Sequence, residues 1–343
     1  MKENVILIGL GSIGKTHLKY LKKYFYNIVI VDVNENVINM NLDLIGDHKY
    51  EYLQTIKDYR IEKGHVKHAV IANWGPDHFS TFEELVKLGV VNFIIEKPMA
   101  VSFKDLDKMR ALKHKKKLKI ITNFQWSHGP FVNNLNFYAS EFKLGKLCNI
   151  IVHGGAKCIA TNGIHYLALA DQVFNSYPIY TFGSLNSSQI NPRNKDFQFI
   201  GGVSNWTYSN HRQFTIIFSN ESSNSATMSM VFENGFAEVI GNQIKFSTYD
   251  KSFIAANFPK TRTSYASVNL LEIEAFTSNE FDGQEKIYEI FIGDDVLDNF
   301  ELSYHVTRNL LANLLSNERK KYVYLDRITR NFSKVYKRSW NIS

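Results

Sequence analysis

The run from Val91 to Ala100, VNFIIEKPMA, stops a short apolar, β-branched stretch abruptly at Glu96-Lys97-Pro98. It reads as a buried strand that delivers a charged pair and a proline of fixed φ to its carboxyl end. In an open α/β sheet ligands bind at the carboxyl ends of the strands, so a lysine there can be both desolvated and aimed. A second cluster, Gly9-Leu10-Gly11-Ser12-Ile13-Gly14, follows the β run Asn4 to Ile8 and opens a helical pattern from Lys15 to Tyr24. Strand, GxGxxG and helix in that order form a dinucleotide fingerprint. Gly9 permits the tight turn, Gly11 lets backbone approach a pyrophosphate, and Gly14 lets the helix pack closely on the strand. The N–H groups of Ser12 and Ile13, at the helix start, can hold phosphate oxygens. Asp32 ends the next strand, Asn27 to Val31, eighteen residues past Gly14, where an acid that binds ribose hydroxyls belongs. It also reads as a turn or cap aspartate ahead of Asn34 and Glu35. An acid there repels a 2′-phosphate, and no Arg or Lys follows within several residues, so NAD is expected over NADP.

The elements that must position these groups alternate. Strand Lys67 to Ala72 leads through the loop Asn73-Trp74-Gly75-Pro76-Asp77-His78 into a helix, Phe79 to Leu88. The strand ending at Ile95 precedes a helix from Phe103 to Lys115, and strand Leu118 to Asn123 closes this half. Such alternation predicts a parallel, doubly wound sheet, a Rossmann domain over residues 1–124. Beyond residue 125 the pattern changes. Helix-like residues 130–143 precede a strand, Asn149 to His153, and a helical segment, Gly163 to Phe174. Strand signals then predominate: TFGSL, FQFIGGVS, RQFTIIFS, SATMSMVFE, FAEVI, QIKFSTY, NLLEIEAF and KIYEIFI. Several alternate with period two, as expected of an antiparallel sheet with one face covered and one free. The expectation is α/β plus α+β: a Rossmann domain, then a domain over 125–343 built on a large, mostly antiparallel, open-faced sheet. Asp294 to Glu318 and Leu325 to Ser339 read as closing helices, the last packing back on the first domain.

Composition narrows the class. The chain of 343 residues is 44% hydrophobic and 21% charged, enough for two globular domains. The net charge of +7 reads as a solvated basic surface or as attraction for an anionic substrate, with Lys157, Arg193, Lys195, Arg212 and Arg262 as candidates in the second half. The basic residues are scattered, so no nucleic-acid partner is expected, and the run Lys113 to Lys119 reads as the solvated end of a helix. Two cysteines without CxxC spacing indicate neither zinc nor a disulfide framework, and His128, His153 and Asp171 fit no common ligand spacing, so no metal is expected. The amino terminus lacks the features of a signal peptide, and no apolar run approaches the ~18 residues of a membrane span. A cytoplasmic protein is expected.

These residues resemble the family that groups glucose–fructose oxidoreductase, inositol dehydrogenase and rhizopine-catabolism proteins, in domain order over nearly the whole chain. The match is carried by GLGSIGKTH (Gly9 to His17), Asp32, the loop Ala72 to His78, Glu96-Lys97-Pro98 and the glycine-x-histidine at Gly163 to His165. The resemblance implies that Lys97 sits beside the nicotinamide and the substrate hydroxyl. It also implies cofactor contacts from Asn73, Trp74, His78 and Glu96, substrate contacts from Asn123, Trp126, Thr161 and Tyr166, and a homodimer or homotetramer through the second-domain sheet. The chain departs from the family's Asp-x-Gly-x-His, holding Thr161 where the acid belongs, and carries Gln125 where many members have an arginine.

Oxidising an alcohol removes a hydroxyl proton as hydride leaves for the nicotinamide. A histidine titrating near neutrality suits the proton, which falls to His165. An ammonium aimed at the same oxygen stabilises the developing alkoxide, which falls to Lys97. The expected activity is NAD-dependent hydride transfer at a hydroxyl or keto carbon of a sugar, cyclitol or nucleotide sugar. Two other readings stay open: a dinucleotide-binding redox sensor or scaffold without activity, favoured by Thr161, and an enzyme that recycles bound NAD within an elimination or epimerisation.

Overall fold

The computed structural model describes residues 4–46, 48–59, 66–191, 195–241, 243–249, 268–272, 281–293, 297–327 and 338–342. The chain forms two compact units: residues 1–124 with 284–308 and 329–343, and residues 125–283 with 309–328. Two segments beyond residue 125, 284–308 and 329–343, group with the first unit.

In the first unit, β1 (Asn4–Ile8), β2 (Asn27–Val31), β3 (Lys49–Leu53), β4 (His68–Ile71), β5 (Asn92–Ile95) and β6 (Lys119–Thr122) form one sheet in the order β3-β2-β1-β4-β5-β6. Every pairing is parallel, with Val5 opposite Ile28 and His68, and Ile95 opposite Ile71 and Thr122. Apart from the edge strand β3, the strands are short apolar runs buried on both faces, as a parallel sheet with helices on each side requires. The order reverses between β1 and β4, so loops after these strands diverge and leave a crevice there. Helix α1 (Ser12–Tyr24) buries Gly14, His17, Leu18 and Leu21, a stripe at helical spacing. Helix α2 is His78–Lys87 and α3 is Phe103–Lys116. Ser102 caps α3, its Oγ accepting from the Asp105 amide at 3.1 Å and donating to the Asp105 carboxylate at 2.7 Å. The lysine run falls in the last turn of α3, where cations meet the helix dipole, and Lys117 ends it in a left-handed conformation.

The second unit opens with α4 (Phe131–Glu141) and β7 (Leu147–Gly154), then a π-helical turn, Ile159–Gly163, that runs into α5 (Ile164–Val173). Strands β8 (Tyr180–Ile190), β9 (Gln198–Thr207), β10 (Gln213–Phe218), β11 (Thr227–Phe232), β12 (Gly235–Ile240), β13 (Gln243–Tyr249) and β14 (Val268–Glu272) follow. With β15 (Val323–Tyr324) they make a nine-stranded sheet in the order β14-β13-β12-β11-β7-β10-β9-β8-β15, antiparallel except for β7 beside β10. Burial alternates along β10, β11 and β12, so Phe214, Ile216, Met228, Met230 and Ala237 face the core while Ile217, Val231, Phe236 and Ile240 do not. The strand expected from NLLEIEAF covers residues up to Glu272; the rest lies outside the described residues.

One sequence expectation fails outright. KIYEIFI, read as a strand, is part of helix α6 (Gln284–Ile292). Its β-branched and aromatic residues favour a strand by propensity, yet the buried set is Gln284, Ile287, Tyr288 and Phe291, a 3.6-residue stripe. Burying each of its three large apolar side chains is worth roughly 1.5–3 kcal/mol, which overrides propensities of under about 1 kcal/mol. Helix α7 (Phe300–Arg319) matches the expected closing helix from Phe300 on; 294–296 lie outside the described residues. Ahead of α7, Asn299 exchanges two hydrogen bonds of 2.8 Å with the backbone of Thr122, and Asp298 accepts from Lys113 at 2.6 Å and from the Ile120 amide at 3.3 Å. These side chains close the open edge of β6 as a neighbouring strand would. The helix expected over 325–339 is not seen in its described parts: 325–327 form a turn and 338–342 are irregular, while 328–337 lie outside the described residues. Trp340 is buried and its amide donates to Val101 at 3.0 Å.

Candidate functional site

The phosphate loop is shaped by close approach. Gly9 has φ +85°, and a side-chain carbon there would lie 2.8 Å from the Ala72 carbonyl oxygen. A carbon added at Gly14 would lie 2.1 Å from the Gly9 carbonyl oxygen. At Gly11 the same carbon meets nothing within 4 Å. Gly11 is thus dispensable to the folded chain itself and leaves the space a pyrophosphate would need. The first turn of α1 carries no acidic residue and no side-chain cap, so the Ser12 and Ile13 amides, which have no partner within the helix, keep their positive end for an anion. Asp32 joins this loop: its carboxylate accepts from the Leu10 amide at 2.7 Å and the Asn34 amide at 2.9 Å. The turn and ribose readings of Asp32 are therefore compatible, because two backbone bonds orient the carboxylate and leave further lone pairs. These residues fit a dinucleotide with free ribose hydroxyls. NAD is expected to bind at least about tenfold tighter than NADP, roughly 1.4 kcal/mol, and Asp32→Ala to narrow that gap. Calorimetry with both dinucleotides measures it, and equal affinities in the unaltered protein would remove the ribose assignment.

Beside this loop, His78 is 1% exposed and lies beneath the backbone, its Nδ1 3.0 Å from the Pro98 carbonyl oxygen and Nε2 3.1 Å from that of Asn73. It ties the Asn73–His78 loop to the Lys97–Pro98 turn, whose peptide is cis. Burial pushes its pKa down, against the two carbonyls and the Glu96 charge that favour the protonated ring. The Asn73 amide donates to Thr81 at 2.9 Å, and its buried Oδ1 has no hydrogen-bond partner among the described residues, which leaves an acceptor for a ligand. Trp74 is 40% exposed.

Lys97 leaves the end of β5 half-buried, and its amide lies 3.3 Å from Glu96 Oε2. Glu96 itself is 5% exposed, and its Oε1 accepts from His17 Nε2 at 2.9 Å and Asn123 Nδ2 at 2.6 Å. Asn123, expected against substrate, is 3% exposed and spends its amide nitrogen on this carboxylate. Burial alone would raise the Glu96 pKa, but the His17 hydrogen bond and charge, Lys97 and Asn123 outweigh it and hold it at about 2. The folded pKa lies below the ordinary 4.5, so Glu96 stabilises the fold above about pH 4.5 and that contribution fades as pH falls toward 2. Its size is about 3 kcal/mol. Urea unfolding at about pH 6 and about pH 3 is expected to show this loss, with the slope shallower in Glu96→Gln. An unchanged slope would mean that Glu96 is not held ionised.

In the second unit, the π-helical turn places Thr161 one widened turn before His165. Cys158 and Asn162 brace it, the Cys158 amide donating to Asn162 Oδ1 at 3.3 Å, with Thr161 Oγ1 3.4 Å from the same oxygen. The Trp126 ring centroid lies 5.1 Å from that of His165 and 4.7 Å, edge to face, from Tyr166. Burial pushes the Tyr166 phenol up to about 12, so it stays neutral at physiological pH. Phe281, which the sequence reading did not single out, packs on Trp126 at 5.8 Å and Phe131 at 4.5 Å. Trp206 is fully buried and its indole donates to the Asn309 carbonyl at 3.3 Å, a core role. Arg212 is spent on the end of α5, donating to the Phe174 carbonyl at 2.9 Å and Ser176 at 3.1 Å. Arg193 and Arg262 lie outside the described residues. Among the described residues no three His, Cys, Asp or Glu side chains could hold a metal ion, and no helix is long and apolar enough to cross a membrane.

Residues 3–124 match the profile of an oxidoreductase family with an NAD-binding Rossmann fold, Gfo/Idh/MocA. Among curated proteins none matches the chain in sequence. Solved structures share the fold. The dehydrogenase WlbA from Chromobacterium violaceum, in complex with NADH and UDP-GlcNAcA, is 15% identical with a TM-score of 0.71, over 94% of this chain and 96% of its own. GenD2 from gentamicin A biosynthesis, in complex with NAD, is 13% identical with a TM-score of 0.71, over 94% and 96%. Levoglucosan dehydrogenase, in complex with NADH and levoglucosan, is 13% identical with a TM-score of 0.70, over 95% and 100%. Residues 3–124 are thus similar to the NAD-binding Rossmann domain of Gfo/Idh/MocA oxidoreductases, and the whole chain shares the fold of these solved structures.

Proposed function

We propose that the protein is an NAD-dependent dehydrogenase that moves hydride between nicotinamide and a hydroxyl or keto carbon of a sugar, cyclitol or nucleotide sugar. The observation that carries this reading is Lys97, half-buried at the carboxyl end of β5 and backed by a buried, ionised Glu96. WlbA with UDP-GlcNAcA and levoglucosan dehydrogenase with levoglucosan support the substrate class by likeness of fold.

NAD, when bound, supplies the hydride acceptor. Ser12 and Ile13 hold the pyrophosphate through their amides, and Asp32 accepts from the ribose hydroxyls. Lys97 Nζ stabilises the substrate oxygen as negative charge gathers on it. His165 takes the hydroxyl proton, and the Trp126 ring beside it walls a sugar ring. Thr161 orients as a neutral hydrogen-bonding group, and Tyr166, kept protonated by burial, acts only as a neutral phenol. The uncovered sheet face, with Val203, Ile217, Val231, Phe236 and Ile240 between 37% and 53% exposed, suits a second copy of the chain in a homodimer or homotetramer. Cytoplasmic location completes the reading.

The test is NAD reduction with a panel of free sugars, cyclitols and nucleotide sugars, followed by NADH absorbance. Turnover with one class fixes the substrate, and turnover with nucleotide sugars alone would show that the anionic group matters. Tight NAD binding with no reduction by any member would favour the dinucleotide-binding sensor instead.

A further inference from the structure

We propose that His17 is a positioning residue for Lys97: through its hydrogen bond to Glu96 it keeps a carboxylate anion beside the Lys97 backbone amide and so favours the ammonium form of that lysine. The inference rests on reading Lys97 as the group that stabilises the substrate oxygen.

The arrangement joins three elements. His17 comes from α1, Glu96 from the end of β5, and Tyr288 from α6, with Asn123 at the end of β6 giving Glu96 a second donor. His17 is fully buried, with Nε2 2.9 Å from Glu96 Oε1 and Nδ1 2.7 Å from the Tyr288 hydroxyl. That hydroxyl also lies 3.3 Å from the His17 carbonyl oxygen. It has one proton to give. If the proton goes to Nδ1, the ring is neutral and carries its own proton on Nε2. If it goes to the carbonyl, Nδ1 donates to the hydroxyl and the ring is an imidazolium. In both cases Nε2 donates to Glu96, so the carboxylate keeps its donor whichever state the ring adopts.

Tyr288 is fixed for this purpose. It stacks on Tyr20 at 5.1 Å and 9° and on Tyr24 at 6.1 Å and 11°, while Glu285, one turn earlier on α6, bonds Lys23 at 2.9 Å and Tyr24 at 2.7 Å. The titratable groups around the carboxylate are His17 from α1, Lys97 beside it, His78 from α2 and Tyr288 from α6, with Tyr20 and Tyr24 of α1 facing Tyr288. A well-packed apolar cluster of the same volume would hold these elements together without desolvating an anion. The buried charge gains a purpose from its neighbour. The Lys97 charge helps keep Glu96 ionised, and a pair interaction is mutual, so the carboxylate favours the lysine's ammonium form equally.

Competitive acetylation of Lys97 by acetic anhydride across a pH range, read by mass spectrometry of its peptide, tests this without substrate or NAD. Glu96→Gln and His17→Leu are expected to lower the pH of half-maximal reactivity by about one unit, an approximately tenfold gain in acetylation below that midpoint. His17→Gln, whose amide nitrogen stands in for Nε2, is expected to restore the unaltered midpoint. The decision rests on all three variants. A shift in Glu96→Gln and in folded His17→Leu with none in His17→Gln supports the inference, and an unshifted midpoint in His17→Leu overturns it. No shift in folded Glu96→Gln overturns it, as does an equal shift in His17→Gln or a His17→Gln protein that does not fold, since donor geometry is then not what His17 supplies. Circular dichroism establishes folding. Loss of the catalytic reading would show separately, as normal turnover in Lys97→Ala.

Discussion

Lys97→Ala is expected to lower turnover by roughly 10²–10⁴, with NAD affinity little changed. The ammonium acts where charge develops, on the substrate oxygen, and an interaction made mainly in the transition state shows in kcat rather than in ground-state binding. In the proposed mechanism the dinucleotide is held elsewhere, by the Ser12 and Ile13 amides and by Asp32, whose carboxylate is already oriented by Leu10 and Asn34. The fold should tolerate the change, because Lys97 is half-buried and its position is set by the backbone between Glu96 and Pro98. His165→Ala is expected to fall in the same range. In the proposed mechanism both groups serve one proton transfer, so the two losses should not add. Thr161→Ala should cost less, a neutral hydrogen bond being worth about 1 kcal/mol. Thr161→Asp, which restores the acid of the resembling family, would raise turnover if the substrate leaves room for it. The measurement is steady-state NAD reduction with the substrate found in the panel. Near-normal turnover in Lys97→Ala would remove the lysine from the mechanism and leave a dinucleotide-binding protein without this chemistry.

Most of the parallel sheet was legible because β1, β2 and β5 are continuous apolar runs stopped by Gly9, Asp32 and Glu96 where the following loops begin, while the edge strand β3, KYEYL, carries no such run and escaped. GxGxxG and Asp32 were legible for a related reason: their spacing is dictated by the ligand they face. What escaped was set by tertiary placement. KIYEIFI carries strand propensity, and only the face it buries makes it a helix. Asp298 and Asn299 look like ordinary turn residues, and nothing local says that they bond the edge of a strand some 177 residues earlier. The π-helical turn before His165 leaves no sequence signature either. His17 did leave one. It lies three residues past Gly14 and shares a face with Leu18 and Leu21, so a polar ring was due to be buried and had to find partners. Glu96 was read for its place beside Lys97, while its burial and its three donors, from His17, Asn123 and Lys97, appear only in three dimensions.

The glycines of the phosphate loop separate binding from folding. Gly11→Val is expected to weaken NAD binding by about 100-fold or more, roughly 3 kcal/mol, while thermal stability falls only modestly. A carbon at Gly11 meets nothing within 4 Å in the chain, so the branched side chain extends into the space that a ligand would need. Its backbone, with φ −67° and ψ −165°, is extended and open to any residue. Gly14→Ala should behave in the opposite way. The added carbon would sit 2.1 Å from the Gly9 carbonyl oxygen, which cannot yield as a flexible side chain would, because the Gly9 amide is tied to the Val31 carbonyl at 2.8 Å. Helix α1 must then lift from β1, at a cost of about 1–3 kcal/mol or more, as for other overpacked sites. That displacement also moves His17 on the same face of α1. Thermal unfolding and NADH fluorescence titration of the two variants make the contrast measurable. A Gly11→Val protein that binds NADH normally would reduce the fingerprint to a structural turn, and a Gly14→Ala protein of unchanged stability would contradict the close packing of α1 on β1.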